Sequence, residues 1–126
     1  SYIKENFCFD AHSLDEIKNY EIQLELSFCK ARHCGKELYE LAQYCNKRII
    51  ICSDMYLPKD VIQEILHQNG YNGFYKIYLS SEIKYTKHGG RLFDFICKDL
   101  EISHFGKKHC VHIGDNWESD VEMPKK

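Results

Sequence analysis

The sequence predicts an α/β fold, a parallel sheet flanked by helices, and three observations carry that prediction. Helix-type and strand-type hydrophobic periodicities alternate from residue 35 onward. Residues 49–52, Ile-Ile-Ile-Cys, are apolar on both faces, as suits a strand covered by helices on each side. Polar residues close two of the apolar runs, Ser53 after one and Gly114-Asp115 after another, at the strand ends where open α/β sheets collect ligands.

The totals agree with one soluble domain. The chain has 126 residues, 44% hydrophobic and 29% charged, enough for a modest core. A formal net charge of −2 gives no electrostatic footprint for nucleic acid or an anionic membrane surface. The longest uninterrupted apolar run is residues 49–52, far too short to span a bilayer. The seven cysteines are odd in number and form no Cys-x-x-Cys pair, which fits buried thiols in a reducing cytoplasm better than a disulfide framework. Two clusters, Cys29/His33/Cys34 and His104/His109/Cys110/His112, lack the close ligand pairs of a structural zinc site.

In chain order, Phe7 and Phe9 suggest a short strand in residues 6–10. Ser13-Leu14-Asp15-Glu16 reads as a capping box, with Ser13 as N-cap of a helix reaching Leu26. Residues 27–34 connect to a helix over 36–46, with Leu38, Leu41, Ala42 and Cys45 on one stripe. The 49–52 strand follows, then a loop to Pro58, which opens a helix over 59–69 with Gly70 as its stop. Residues 75–79 predict a strand, 80–88 a polar loop, and 90–100 a helix using Leu92, Phe93, Phe95 and Ile96. A short buried strand over 110–113 then leads through Gly114 and Asp115 to Asp120, on the first turn of a last helix.

Three short motifs bear chemistry. Ser53 and the amide of Asp54 can hold phosphate oxygens, although a serine after a strand is commonly a turn residue. Lys87, in the loop before a helix, can pair with an anion, although a solvated lysine is the ordinary outcome. Asp115 and Asp120 suit a hard cation such as Mg²⁺, although Asp residues near a helix start more commonly cap its N–H groups and meet the helix dipole.

Taken together and in this order, the motifs resemble the second, third and fourth motifs of the haloacid dehalogenase-like superfamily. The runs CSDMYLPKDVIQEIL, YLSSEIKYTKHGGRLFDFI and HIGDNWESDVE resemble a branch often found beside polysaccharide-biosynthesis glycosyltransferases. The resemblance spans residues 35–122, about seventy per cent of the chain. It implies a Rossmann-like core and phosphoryl transfer through an aspartyl-phosphate. Ser53 would hydrogen-bond the phosphoryl group, assisted by the Asp54 amide, and Lys87 would neutralise its charge. Asp115 would coordinate Mg²⁺, while Asp120 would orient the lysine or the metal's water shell. A phosphorylated small molecule such as a sugar phosphate is the implied substrate, in the cytoplasm, with a fused or associated glycosyltransferase as partner.

The family's first motif, Asp-x-Asp-x-Thr, has no recognisable counterpart. Asp10 is the nearest candidate nucleophile, but His12 stands where the second Asp belongs. Residues 1–34 therefore read as part of a helical cap, and 35–126 as a partial core, incomplete at both ends, with the nucleophile upstream. The missing strand would lie between the 49–52 and 110–113 strands, leaving a gap that exposes strand edges. A non-catalytic phosphate-binding or partner-supporting domain is the alternative. A nucleotide-binding response module with a similar sheet explains Ser53 and Lys87 but not the Gly-Asp-x4-Asp run.

Overall fold

The structure is a computed structural model and describes residues 10–103, 106 and 109–125. It is a mixed α/β arrangement, mostly helical, with a two-stranded parallel sheet. The chain divides into two compact units: Ser1–Lys47 with Leu57–Gly73, and Arg48–Tyr56 with Phe74–Lys126.

The first unit is helical, built from α1 (Ala11–Phe28), α2 (His33–Tyr44) and α3 (Lys59–Gln68). Helix α1 starts earlier than the capping box predicts, because Asp10 takes the N-cap and its carboxylate accepts from the Ser13 amide at 2.7 Å. Asp caps as well as Ser, and Ala11 and His12 can both be helical, so the helix gains most of a turn. Helices α1 and α3 pack against each other. Asn69, just past α3, ties down the chain after α1: its Nδ2 donates to the Cys29 carbonyl at 3.0 Å and its Oδ1 accepts from the Ala31 amide at 2.7 Å. Gly70 stops α3 with a φ of 75°, a conformation that favours glycine.

Helix α2 buries a different face from the one its aliphatic stripe predicts. Leu38, Leu41 and Cys45 are exposed, and Tyr39 is buried. Its hydroxyl donates to the Asn72 carbonyl at 2.7 Å and its ring meets Tyr71 edge-on at 4.9 Å. One tyrosine supplies both a large apolar surface and a partner for a loop carbonyl, a combination no leucine offers. Lys36 donates to the Gly70 carbonyl and lies over the Tyr71 ring.

The second unit holds the sheet. Strands β1 (Ile50–Ser53) and β2 (Lys76–Leu79) pair in parallel, with Ile51 opposite Ile77 and Ser53 opposite Leu79. Strand β2 carries the buried residues, Ile77, Tyr78 and Leu79, whereas β1 is half-buried along its length. The expectation of a 49–52 strand covered on both faces is thus corrected. Part of the expected polar loop forms a short helix, α4 (Ser80–Ile83), closed by Lys84 in the left-handed region at φ 66°. Helix α5 (Arg91–Asp99) follows, and its Leu92 and Ile96 join Tyr78 in the core, packed against Ile50, Cys52, Ile83 and Leu100.

Residues 110–113 do not form the predicted buried strand. Among the described residues the sheet has two strands only, and Val111 and Ile113 are 86% and 60% exposed. A strand is fixed by hydrogen bonds to a neighbour, and no described strand pairs with this segment. The predicted last helix is a π-helical segment, Trp117–Glu122, running into a 3₁₀ turn at Met123–Lys125. Its N-cap is Asn116, whose side chain accepts from the Ser119 amide at 3.1 Å. The expected strand over residues 6–10 lies outside the described residues except for Asp10.

Candidate functional site

The second unit links Asp54, which follows β1, to Lys87 and through it to Asp120. Ser53 is the last residue of that strand, and its hydroxyl accepts from the Met55 amide at 3.1 Å, shaping the exit turn. Asp54 reaches across to the loop before α5, where its carboxylate accepts from the Lys87 amide at 3.1 and 3.2 Å. That bond fixes the backbone of the lysine loop against the strand end. The Lys87 side chain then turns inward, and its Nζ lies 2.6 Å from Asp120 Oδ1.

The Lys87–Asp120 pair is sheltered, with side chains 15% and 3% exposed. Asp120 accepts two further hydrogen bonds, from His112 Nε2 at 2.9 Å on Oδ1 and from the Asn116 amide at 3.0 Å on Oδ2. Burial alone would raise its pKa, but the hydrogen bonds from Lys87, His112 and Asn116 outweigh burial and hold the carboxyl well below the usual carboxylate range. Gly114 is required by this packing. A Cβ at that position would overlap the Asp120 carboxylate, so only glycine lets the carboxylate fold back over the turn.

Asp115 follows Gly114 and is exposed. Its hard oxygens fit Mg²⁺, which keeps several waters and binds through one or two carboxylates together with substrate phosphate. Among the described residues no group of three or more His, Cys, Asp and Glu side chains could hold a metal ion. Asp120 fits Mg²⁺ less well as a direct ligand. Both of its oxygens are already engaged, and Oδ1 serves two donors at once. What the geometry gives Asp120 is a direct hold on the Lys87 ammonium.

Two members of the cluster carry no site assignment from the sequence. Cys52, on β1 one residue before Ser53, lies with its Sγ 3.8 Å from His112 Nδ1. His112 is packed edge-on against Phe93 at 5.0 Å. The sequence signal was present but ambiguous: His112 lies two residues before Gly114, on the opposite face from Val111 and Ile113 in an alternating segment. Cys52 gives no comparable signal, since an apolar strand position is where an inert buried thiol belongs.

Asp10, the one nucleophile candidate within the chain, is the N-cap of α1 in the first unit, with its carboxylate bonded to the Ser13 amide. Compared with protein-family models and with curated proteins, the chain matches none.

Proposed function

We propose that this chain supplies the phosphate-handling and metal-handling part of a Mg²⁺-dependent phosphoryl-transfer hydrolase, a haloacid dehalogenase-like phosphatase module. The attacking aspartate of that centre lies outside these 126 residues. The observation that carries the reading is the sheltered Lys87–Asp120 pair, set beside Ser53 and Asp54 at one strand end. A lysine held by one buried carboxylate is a fixed positive charge, ready to stabilise the charge that spreads over phosphoryl oxygens.

Each residue then has a task. The Ser53 hydroxyl already receives the Met55 amide and keeps its own proton for a phosphoryl oxygen. Asp54 holds the lysine loop through the Lys87 amide. Lys87 neutralises phosphate charge, and Asp120 keeps Nζ directed into the site. Asp115 would hold Mg²⁺, which when bound polarises the phosphoryl group as a Lewis acid. A sugar phosphate is the proposed substrate, and a fused or associated cytoplasmic glycosyltransferase the proposed partner. These follow from the resemblance of the three sequence runs. No helix among the described residues is long and apolar enough to cross a membrane.

The test is hydrolysis of p-nitrophenyl phosphate and hexose phosphates by the full-length protein with and without Mg²⁺. The expected result is Mg²⁺-dependent turnover that falls by about a hundredfold or more in Asp115→Ala. Turnover unchanged by Asp115→Ala removes the metal assignment. A second reading, a non-catalytic phosphate-binding domain, is favoured by Asp10 serving as a helix cap. It predicts that the full-length protein binds inorganic phosphate or a hexose phosphate without turning it over.

A further inference from the structure

Asp120 Oδ1 is the oxygen that holds Lys87, and a second donor, His112 Nε2, reaches the same atom. A carboxylate held only by a lysine on a flexible four-carbon stem can rotate, and the lysine can follow it. Three donors arriving from Lys87, His112 and the Asn116 amide leave it one orientation. His112 is itself held from two sides, by the edge of Phe93 and by Cys52 on β1.

We infer that Cys52 and His112 form a positioning relay that fixes the Asp120 carboxylate and, through it, the Lys87 ammonium. The direction of the relay follows from the donors and acceptors. Asp120 is held ionised and can only accept, so the proton between it and His112 sits on Nε2. In that tautomer Nδ1 is an acceptor, and the group facing it is the Cys52 thiol. Burial pushes that thiol up to about 11, so it keeps its proton near neutral pH and donates S–H to Nδ1. The chain of bonds therefore runs from Cys52 Sγ–H to His112 Nδ1, and from His112 Nε2–H to Asp120 Oδ1.

A Cys–His–Asp constellation also suggests a thiol nucleophile, and the same observations oppose it. The attacking species is the thiolate, and the half-buried Cys52 thiol, packed against the core, resists forming one. Asp120 is moreover committed to Lys87 on the oxygen it would use for the histidine. Cys52 and His112 are positioning residues, acting through Asp120.

Only the functional consequence of this inference rests on the phosphoryl-transfer reading; the relay itself is read by nuclear magnetic resonance on the full-length protein. Long-range ¹H–¹⁵N spectra are expected to show His112 in the Nε2–H tautomer. The Lys87 ammonium, sheltered by its pair, is expected to give a resolved ¹⁵N signal that Asp120→Asn abolishes. His112→Phe keeps a ring against Phe93 but removes the donor, and the Lys87 signal should broaden. His112→Gln restores a donor, and the signal should return. An Nδ1–H tautomer overturns the relay, and so does a Lys87 signal unchanged in His112→Phe. Where the wild type hydrolyses p-nitrophenyl phosphate, His112→Phe should lower kcat about tenfold with KM held within about twofold, and His112→Gln should recover most of the loss. A kcat unchanged in His112→Phe also overturns the positioning role. A wild type without turnover defeats the phosphoryl-transfer reading, while the tautomer and the Lys87 signal still decide the relay.

Discussion

Two segments of the second unit begin alike and end differently. Residues 49–57 and 110–120 each open with an apolar run, place a small residue at its end, and continue into an acidic loop. The first forms β1, paired along all four of its residues with β2. The second forms no strand, and leaves Val111 and Ile113 in solvent. Hydrophobic β-branched residues therefore do not make a strand by themselves; a neighbour with free hydrogen-bonding groups does. Yet the second segment still anchors its acidic end. Gly114, Asn116 and Asp120 lock into a tight turn on Lys87 and His112 without a strand behind them.

If the acidic turn holds the second segment in place, breaking it should cost more than any change to the exposed run that precedes it. Asp120→Ala leaves the largely sheltered Lys87 ammonium without its partner and should destabilise the chain by about 3 kcal/mol, read from urea unfolding. A loss below about 1 kcal/mol would show that Lys87 simply swings into solvent. The same pair makes stability depend on acid. Because the native Asp120 pKa is depressed, its contribution is complete above the unfolded carboxyl's value of 3.8 and drains away as pH falls toward the lowered native one. Asp120→Asn should flatten that acid limb.

In the paired segment, Ile77→Ala empties a buried position on β2 opposite Ile51 and should cost about 3 kcal/mol. Gly114→Ala sets a methyl group against the Asp120 carboxylate and should cost about 2 kcal/mol, with partial release of Lys87 detectable in its ammonium signal. Val111→Thr, at an 86% exposed position, should change the stability of this chain by less than about 0.5 kcal/mol. A cost like that of Ile77→Ala would mean that Val111 is covered in solution, and the contrast between the segments would collapse.

Much of the local structure was legible in the residues. Pro58 and Gly70 bound α3 closely, because one presets the entry dihedral and the other alone exits comfortably at positive φ. Parallel pairing of the two central runs was also legible, since an unbroken apolar run joined through a helix to another leaves few alternatives. The capping choice at α1 was misread, because Asp10 and Ser13 are both good caps and only the competition between them places the first turn. The inward face of α2 was misread because a leucine stripe and a tyrosine compete for one surface, and Tyr39 could also satisfy the Asn72 carbonyl.

For the candidate site, the sequence by itself determined which chemical groups were available and in what order: a hydroxyl, a lysine and two carboxylates at the ends of apolar runs. Each is weak alone, and it is the resemblance carried by their order along the chain that nominates Ser53, Lys87, Asp115 and Asp120. Only the tertiary structure decided how those groups divide their bonds. It gave Asp54 to the Lys87 backbone and Asp120 to the Lys87 side chain, and it brought His112 to the same carboxylate with Cys52, sixty residues away in sequence, behind it. The physical reason is that a carboxylate has a limited number of acceptor positions, and which donors reach them is settled by packing, which spacing along the chain does not encode.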